Sequence, residues 1–369
     1  MLRIHHVNLQ PATGGGEMYT HALTRALRDA GAEVALYAHP GNRLWDDLPG
    51  VRAVPGEDEL LARLPPGSLV LTQGPLAPAA LGRLAREHRL VSFAHMPILE
   101  GRSAEHFRAC RLVVTVSQYC IGLLRRAGIA QVHDEPLYGV ADAARAAAAP
   151  VLERSPYIWD RRKFRDRLFS VFSPLADALR PETTFEKPSG LTLGIVSLIS
   201  PIKQFPRLFS ILAPHLARHP QVRLEIFGNG GYAQVRDLRR ALAPLGERAR
   251  FWGFQDHVAA IYPRLDWLMT GLPEKEALGL NALEAQACGT PVLAPDAPPF
   301  TETVLHERTG LLYRDPRADG GADFARLLDA IAAGRPRPDP RAASEHLAKF
   351  SYPALVARAR RLLERLARL

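Results

Sequence analysis

The run Glu276-Ala-Leu-Gly-Leu-Asn-Ala-Leu-Glu284-Ala-Gln-Ala-Cys-Gly-Thr-Pro-Val-Leu-Ala294 is the most informative stretch of the 369-residue chain. It reads as three pieces. A loop carries Glu276 and ends at the flexible Gly279. A helix begins near Leu280 and stops at Gly289, and Pro291 opens a short strand to Ala294. Glu284 lies about one turn into the helix, so its carboxylate can reach a group bound at the helix start. The backbone N–H groups of Gly279, Leu280 and Asn281 are expected to be free and to form an anion site for a phosphate. Two carboxylates flanking such a site suit a sugar nucleotide, one bonding sugar hydroxyls and the other a ribose diol.

Outward from this run, strand-like and helical segments alternate. In the first half, strands are expected at Arg3 to Leu9, Glu33 to Ala38, Ser68 to Thr72, Leu90 to Ala94 and Leu112 to Val116. Helices are expected at Glu17 to Ala30, closed by Gly31, and at Pro78 to Glu87. The rhythm restarts with a strand at Leu191 to Leu198, a helix at Pro206 to Arg218 and a strand at Val222 to Gly228. A helix at Tyr232 to Leu245 and strands at Arg250 to Gly253 and Leu265 to Thr270 follow. Strands alternating with helices imply parallel sheets covered on both faces. The fold class is α/β, with one architecture used twice.

The stretch from Val140 to Pro188, rich in Ala, Pro and Arg, breaks the rhythm and is read as the interdomain connection. Within it, Tyr157 to Phe172 carries Trp159, Phe164, Leu168, Phe169 and Phe172 among charges at largely helical spacing. That pattern fits either a helix packed on a domain edge or a basic amphipathic surface. The chain ends in a helix, Tyr352 to Leu369, with a leucine stripe beside Arg358, Arg361, Arg365 and Arg368. The expected division is a first domain over 1–175, with 352–369 packing back on it, and a second over 188–350.

Composition narrows the function. A formal charge of +9 favours anionic partners, such as a nucleotide diphosphate, a phosphorylated glycolipid or an anionic membrane surface. The basic residues are scattered, without a nucleic-acid-binding signature, so nucleic acid is not expected as a partner. No window approaches the roughly 18 apolar residues of a membrane span, and the N-terminus lacks a signal-peptide pattern. A cytoplasmic protein is expected. The cysteines, Cys110, Cys120 and Cys288, have no C-x-x-C spacing, which argues against disulfides and structural zinc. His5 and His6 are adjacent in a strand and so point to opposite faces, which disfavours a metal pair.

The opening run resembles the E-x7-E signature of the retaining GT-B glycosyltransferases of family GT4, with the L-E-A-x-A-C-G-T-P-V segment that follows it. Gly14-Gly15-Gly16-Glu17 resembles the family's early G-G-x-E loop. Val113-Val-Thr-Val-Ser117 and Pro136-Leu-Tyr-Gly-Val-Ala-Asp142 resemble stretches at the end of its first domain. Phe227-Gly-Asn-Gly230, Phe251-Trp-Gly253, Glu302 and Thr309-Gly-Leu-Leu312 match landmarks of its second. The resemblance is weakest from about 143 to 190.

The resemblance implies two Rossmann-like domains facing across a cleft. It implies a retaining transferase that moves a sugar from a UDP- or GDP-type donor to a hydroxyl acceptor, by front-face attack assisted by the leaving phosphate. Carried over, Glu276 contacts the donor sugar near the reacting carbon, and Ala277, Leu278, Gly279 and Leu280 supply backbone contacts. Glu284 holds the ribose, Lys203 neutralises the diphosphate, and Gly15 and Gly16 allow close approach of the first domain's loop. His95 contacts the donor sugar from the first domain. No cofactor or metal is expected. The acceptor expected is a glycan or glycolipid, an intermediate of lipopolysaccharide or surface polysaccharide at the inner face of the membrane, where the protein would sit peripherally.

One departure stands out. The family's G-R-L-x-x-x-K-G reads here Val196-Ser-Leu-Ile-Ser-Pro-Ile-Lys203-Gln204. Leu198 replaces the arginine, and Ser197 and Gln204 replace the glycines. A bidentate phosphate contact is lost. This leaves a rival reading open: a non-catalytic binding or partner subunit that kept the fold.

Overall fold

In the computed structural model the described residues are 1–11, 13–74, 76–99, 103–141, 149–159, 164, 166–167 and 183–369. The chain divides into two compact units, 1–141 with 348–369, and 142–347.

The first unit holds six parallel strands: β1 (Arg3–Asn8), β2 (Glu33–Ala38), β3 (Val51–Ala53), β4 (Leu69–Gln73), β5 (Arg89–Ala94) and β6 (Leu112–Thr115). Their order is β3-β2-β1-β4-β5-β6. β1 beyond Arg3 and all of β4 are buried on both faces, as strands of a parallel sheet covered by helices are. His5 and His6 do face opposite ways: His5 Nδ1 lies 3.0 Å from the Tyr37 hydroxyl, and His6 Nδ1 lies 2.8 Å from Thr24 Oγ1.

In the second unit a short strand, β7 (Tyr157–Ile158), pairs with β10 (Gly230–Gly231). The main sheet comprises β8 (Leu191–Val196), β9 (Val222–Phe227), β11 (Ala249–Gly253), β12 (Trp267–Met269), β13 (Val292–Pro295) and β14 (Gly310–Tyr313), ordered β11-β9-β8-β12-β13-β14. Leu193, Ile195, Phe205, Phe209, Leu224 and Ile226 are fully buried in its core. Each such side chain contributes about 1.5–3 kcal/mol by leaving water.

Counted along its own segment, each sheet runs 3-2-1-4-5-6. The order reverses between β1 and β4 and again between β8 and β12. In open α/β sheets the crevice at the carboxyl ends of such strands is where ligands bind.

The expected boundary at 175 moves to 141. Val151 and Phe185 belong to the second unit's core, and the Arg154 N–H donates to the Trp252 carbonyl at 2.9 Å. Pairing with this sheet's loops overrides the composition of the segment. Of the aromatic stretch 157–172, residues 160–163, 165 and 168–172 lie outside the described residues. The C-terminal helix, Tyr352–Leu366, is capped by Ser351, buries Leu355, Leu362 and Leu366, and packs on the first helix, Gly15–Asp29. Arg361 forms a two-pronged pair with Glu135 at 2.6 and 2.7 Å, and the buried Arg358 lies 3.5 Å from the same carboxylate. These two arginines are engaged within the unit. Among the described residues no helix is long and apolar enough to cross a membrane.

Candidate functional site

At the reversal point of the second sheet two loops run side by side. One follows β8 and carries Lys203; the other follows β12 and carries Glu276. The Leu272 N–H donates to the Lys203 carbonyl at 3.2 Å. Gly271 permits this approach, since a Cβ there would fall 2.2 Å from the Lys203 oxygen. Nothing in the sequence motif flagged Gly271.

The Lys203 ammonium is paired with Glu276 Oε2, and both side chains are largely buried, at 19% and 13% exposure. Glu276 Oε1 accepts from the Gly279 N–H at 3.1 Å and the Ala277 N–H at 3.2 Å. Burial pushes this carboxyl up, but the Lys203 charge and the three hydrogen bonds outweigh it, and Glu276 stays below the usual carboxylate range. It is an ionised group held at a helix N-terminus. The Gly279 amide, expected to be free, is therefore occupied by Glu276. A carboxylate three residues upstream satisfies an orphan donor as a phosphate would. The amides of Leu280 and Asn281 carry no bond to the described residues.

The site helix, Leu280–Ala287, starts from Gly279, whose backbone is left-handed at φ +81°. The Asn281 side chain donates to the Val196 carbonyl at 3.2 Å and ties the helix start to the end of β8. Ala277 and Leu278 bury their side chains. Glu284 accepts from the Tyr262 hydroxyl at 2.8 Å. Burial pushes the Glu284 carboxyl up, and the Tyr262 bond and the Lys203 charge pull it back only in part. Tyr262 is fully buried and was invisible to motif reading.

The departure at Leu198 is structurally plain: its side chain is 51% exposed in the loop after β8. Gln204 adopts a left-handed backbone with φ 53°. A side chain there costs about 1–2 kcal/mol, which explains why the resemblance expects glycine.

In the first unit, Gly15 and Gly16 open the first helix, and a Cβ at either meets nothing within 4 Å. The described residues impose no glycine there. His95 follows β5, with Nε2 3.0 Å from Gln73 Oε1. Its ring meets Tyr19 edge-on at 5.6 Å and lies 4.5 Å from Phe93. Burial pushes the imidazole down to about 4, so it is neutral at pH 7. Gln73 also receives the Thr20 hydroxyl, and Asn8 Nδ2 donates to Thr20 Oγ1 at 2.8 Å. Sequence reasoning missed these three.

Lys203, Ala277, Leu278, Gly279, Leu280, Glu276 and Glu284 thus come together in the second unit. Gly15, Gly16 and His95 lie in the first. Among the described residues no three His, Cys, Asp or Glu side chains are grouped to hold a metal ion.

Residues 190–334 match the model of the family described as glycosyl transferases group 1. A D-inositol 3-phosphate glycosyltransferase of Stackebrandtia nassauensis is 32% identical over 201 residues, 49% of this chain and 43% of the relative. The match therefore spans less than half of that relative's length. Among solved structures, Anabaena HepE in complex with UDP and glucose superposes with a TM-score of 0.70 at 18% identity, covering 100% of both chains. Sucrose-phosphate synthase of Thermosynechococcus elongatus gives 0.66 at 19% identity, covering 99% of both. These structural likenesses concern the fold, which is GT-B.

Proposed function

We propose that this chain, whose residues 190–334 form a glycosyl transferases group 1 domain, is a retaining glycosyltransferase using a nucleotide-diphosphate sugar. The observation that carries the reading is the ionised Glu276, held between Lys203 and the start of the site helix at the reversal of the second sheet. Lys203 and the amides of Leu280 and Asn281 would neutralise the diphosphate as it leaves. Fixed positive groups aimed at developing anionic charge are the strongest lever available to such a site. Glu276 would bond donor-sugar hydroxyls near the reacting carbon, and Glu284, poised by Tyr262, the ribose. The acceptor hydroxyl attacks the anomeric carbon from the face the diphosphate leaves. The C–O bond to phosphate breaks as the new glycosidic bond forms, and the leaving phosphate takes the hydroxyl proton. In the first unit, the neutral His95 is the candidate for a hydrogen bond to a sugar hydroxyl. Gly15 and Gly16, which the described fold does not require, would keep the loop bare for close approach.

The proposed acceptor is a hydroxyl of a glycan or glycolipid intermediate, and the relative's name adds an inositol phosphate to the classes tested. The experiment is a screen of UDP- and GDP-sugars against inositol phosphate and lipid-linked glycan acceptors, with products read by mass spectrometry. Transfer with retention, unaffected by EDTA, is expected. Loss with EDTA that Mg²⁺ or Mn²⁺ restores would show that a metal takes part. The exposed Leu198, where a phosphate-binding arginine is expected, favours a second reading, a non-catalytic GT-B subunit. Absence of both transfer and nucleotide binding would establish it.

A further inference from the structure

We propose that Gln73 is the positioning residue for His95: its Oε1 holds the ring by Nε2 and keeps the proton there, which leaves Nδ1 as the ring's hydrogen-bond acceptor.

Gln73 sits where the fold brings several elements together. It is the last residue of β4, directly beside β1 where the strand order reverses, and it is 1% exposed. Its Oε1 gathers two groups, the Thr20 hydroxyl and His95 Nε2 at 3.0 Å. Thr20 is itself anchored twice. It accepts from Asn8 Nδ2 at 2.8 Å, and its oxygen lies 2.9 Å from the Gly16 carbonyl. Asn8 ends β1, Thr20 rides the first helix, Gln73 ends β4, and His95 follows β5. Four elements thus meet in one hydrogen-bonded network, which reaches the Gly16 carbonyl at the start of the first helix.

The other end of that amide supplies the second observation. Gln73 Nε2 is buried and has no partner among the described residues. An unpaired buried donor is destabilising, and a leucine or methionine of similar size would avoid it. An amide retained under that penalty needs a use for its oxygen, and the oxygen holds His95. Aromatic contacts fix the ring plane: Tyr19 meets it edge-on and Phe93 lies against it. The titratable groups packed around the ring are His6 from β1 and Tyr19 from the first helix. Burial keeps both uncharged at neutral pH, pushing the imidazole of His6 down and the hydroxyl of Tyr19 up. With Nε2–H donated to Gln73, the remaining lone pair is on Nδ1. A neutral imidazole fixed in one tautomer accepts a sugar hydroxyl without ring flipping, which is the orientation on which pre-organised sites depend.

The catalytic consequence rests on the transferase reading; the tautomer does not. The test is ¹⁵N-imidazole NMR on the full chain, wild type and the Gln73→Leu and Gln73→Glu variants. Wild-type His95 should carry its proton on Nε2 alone. Gln73→Leu should give a tautomer mixture. Gln73→Glu should raise the His95 pKa by placing a carboxylate beside Nε2. A wild-type proton on Nδ1, or an unchanged His95 signal in both variants, overturns the inference even if transfer proceeds normally. In turnover, Gln73→Leu should lower kcat by on the order of tenfold to a hundredfold with nucleotide affinity unchanged. It should add no further loss to His95→Ala. A wild type that transfers no sugar would sink the transferase reading and leave the NMR result standing. If Gln73→Leu fails to fold, the wild-type ¹⁵N shifts and the His95 pKa in Gln73→Glu carry the test.

Discussion

At the reversal of the first sheet stand Asn8, Thr20, Gln73 and His95, all neutral at pH 7 and joined by hydrogen bonds. At the matching point of the second stand Lys203, Glu276 and Glu284, and the central contact is an ion pair. The strand order is identical in the two, and the chemistry is opposite. Topology sets where a site forms; the side chains decide what it can hold. Desolvating a charged pair is costly, and the second unit offsets that cost with three hydrogen bonds to one carboxylate. Such an arrangement suits an anionic ligand that exchanges partners with it. The cluster at the first unit's reversal carries no charge and suits a neutral, hydroxyl-bearing ligand.

The comparison breaks most visibly at Glu276. Glu276→Gln keeps an oxygen for the Gly279 amide but removes the charge facing Lys203. Turnover should fall by on the order of 10²–10³-fold with the fold intact. Near-normal turnover, with a circular dichroism melt like that of the wild type, would remove Glu276 from the reaction.

Acid should separate the two units next. His95 is held at about 4 and His6 at about 3 against an ordinary 6.5, and His5, His88 and His133 of the same unit are also lowered. Between the ordinary and the depressed values the unfolded chain binds protons that the folded unit refuses. The first unit therefore loses stability as pH falls from 6.5 toward 4, by roughly 3 kcal/mol for His95 alone. Glu276, held low, contributes stability above the ordinary 4.5 that is lost as pH falls through its folded value. Hydrogen exchange followed peptide by peptide should show the first unit opening at higher pH than the second. The reverse order would contradict the assignment of neutral and charged sites.

A smaller change sharpens the second site. Glu284→Ala should weaken nucleotide binding by about 1.5–3 kcal/mol, the range for a hydrogen bond to a charged group. Tyr262→Phe should weaken it less, because Tyr262 acts through Glu284. Unchanged nucleotide affinity in Glu284→Ala would dismiss the ribose role.

Both sheets were legible in the sequence because buried parallel strands between helices write themselves as apolar runs. Glu33 to Ala38 and Pro78 to Glu87 form the elements expected, with the same limits. The Glu276–Glu284 site was legible because its groups lie within one loop and one helix. The first site was not. Asn8, Thr20 and Gln73 are 12 and 53 residues apart in the two hydrogen bonds that join them, and strand order alone brings them together. Residue periodicity reports a face but not the neighbouring strand. The same blindness hid Tyr262 behind Glu284, and Gly271, whose reason is a backbone atom of another loop. The domain boundary was misplaced because Val151 and Phe185 lie in a Pro/Ala-rich stretch whose composition resembles a linker while its two apolar anchors are buried.

The central claim, that the second unit's charged site holds a nucleotide diphosphate, is tested most directly by calorimetry. UDP, GDP and their sugars would be titrated into wild type, Lys203→Ala and Leu198→Arg. The account predicts that one nucleotide class binds the wild type, that Lys203→Ala loses about 1.5–3 kcal/mol of that affinity, and that Leu198→Arg retains or strengthens it. Binding by Lys203→Ala as tight as wild type, or no binding of any nucleotide to the wild type, would contradict it.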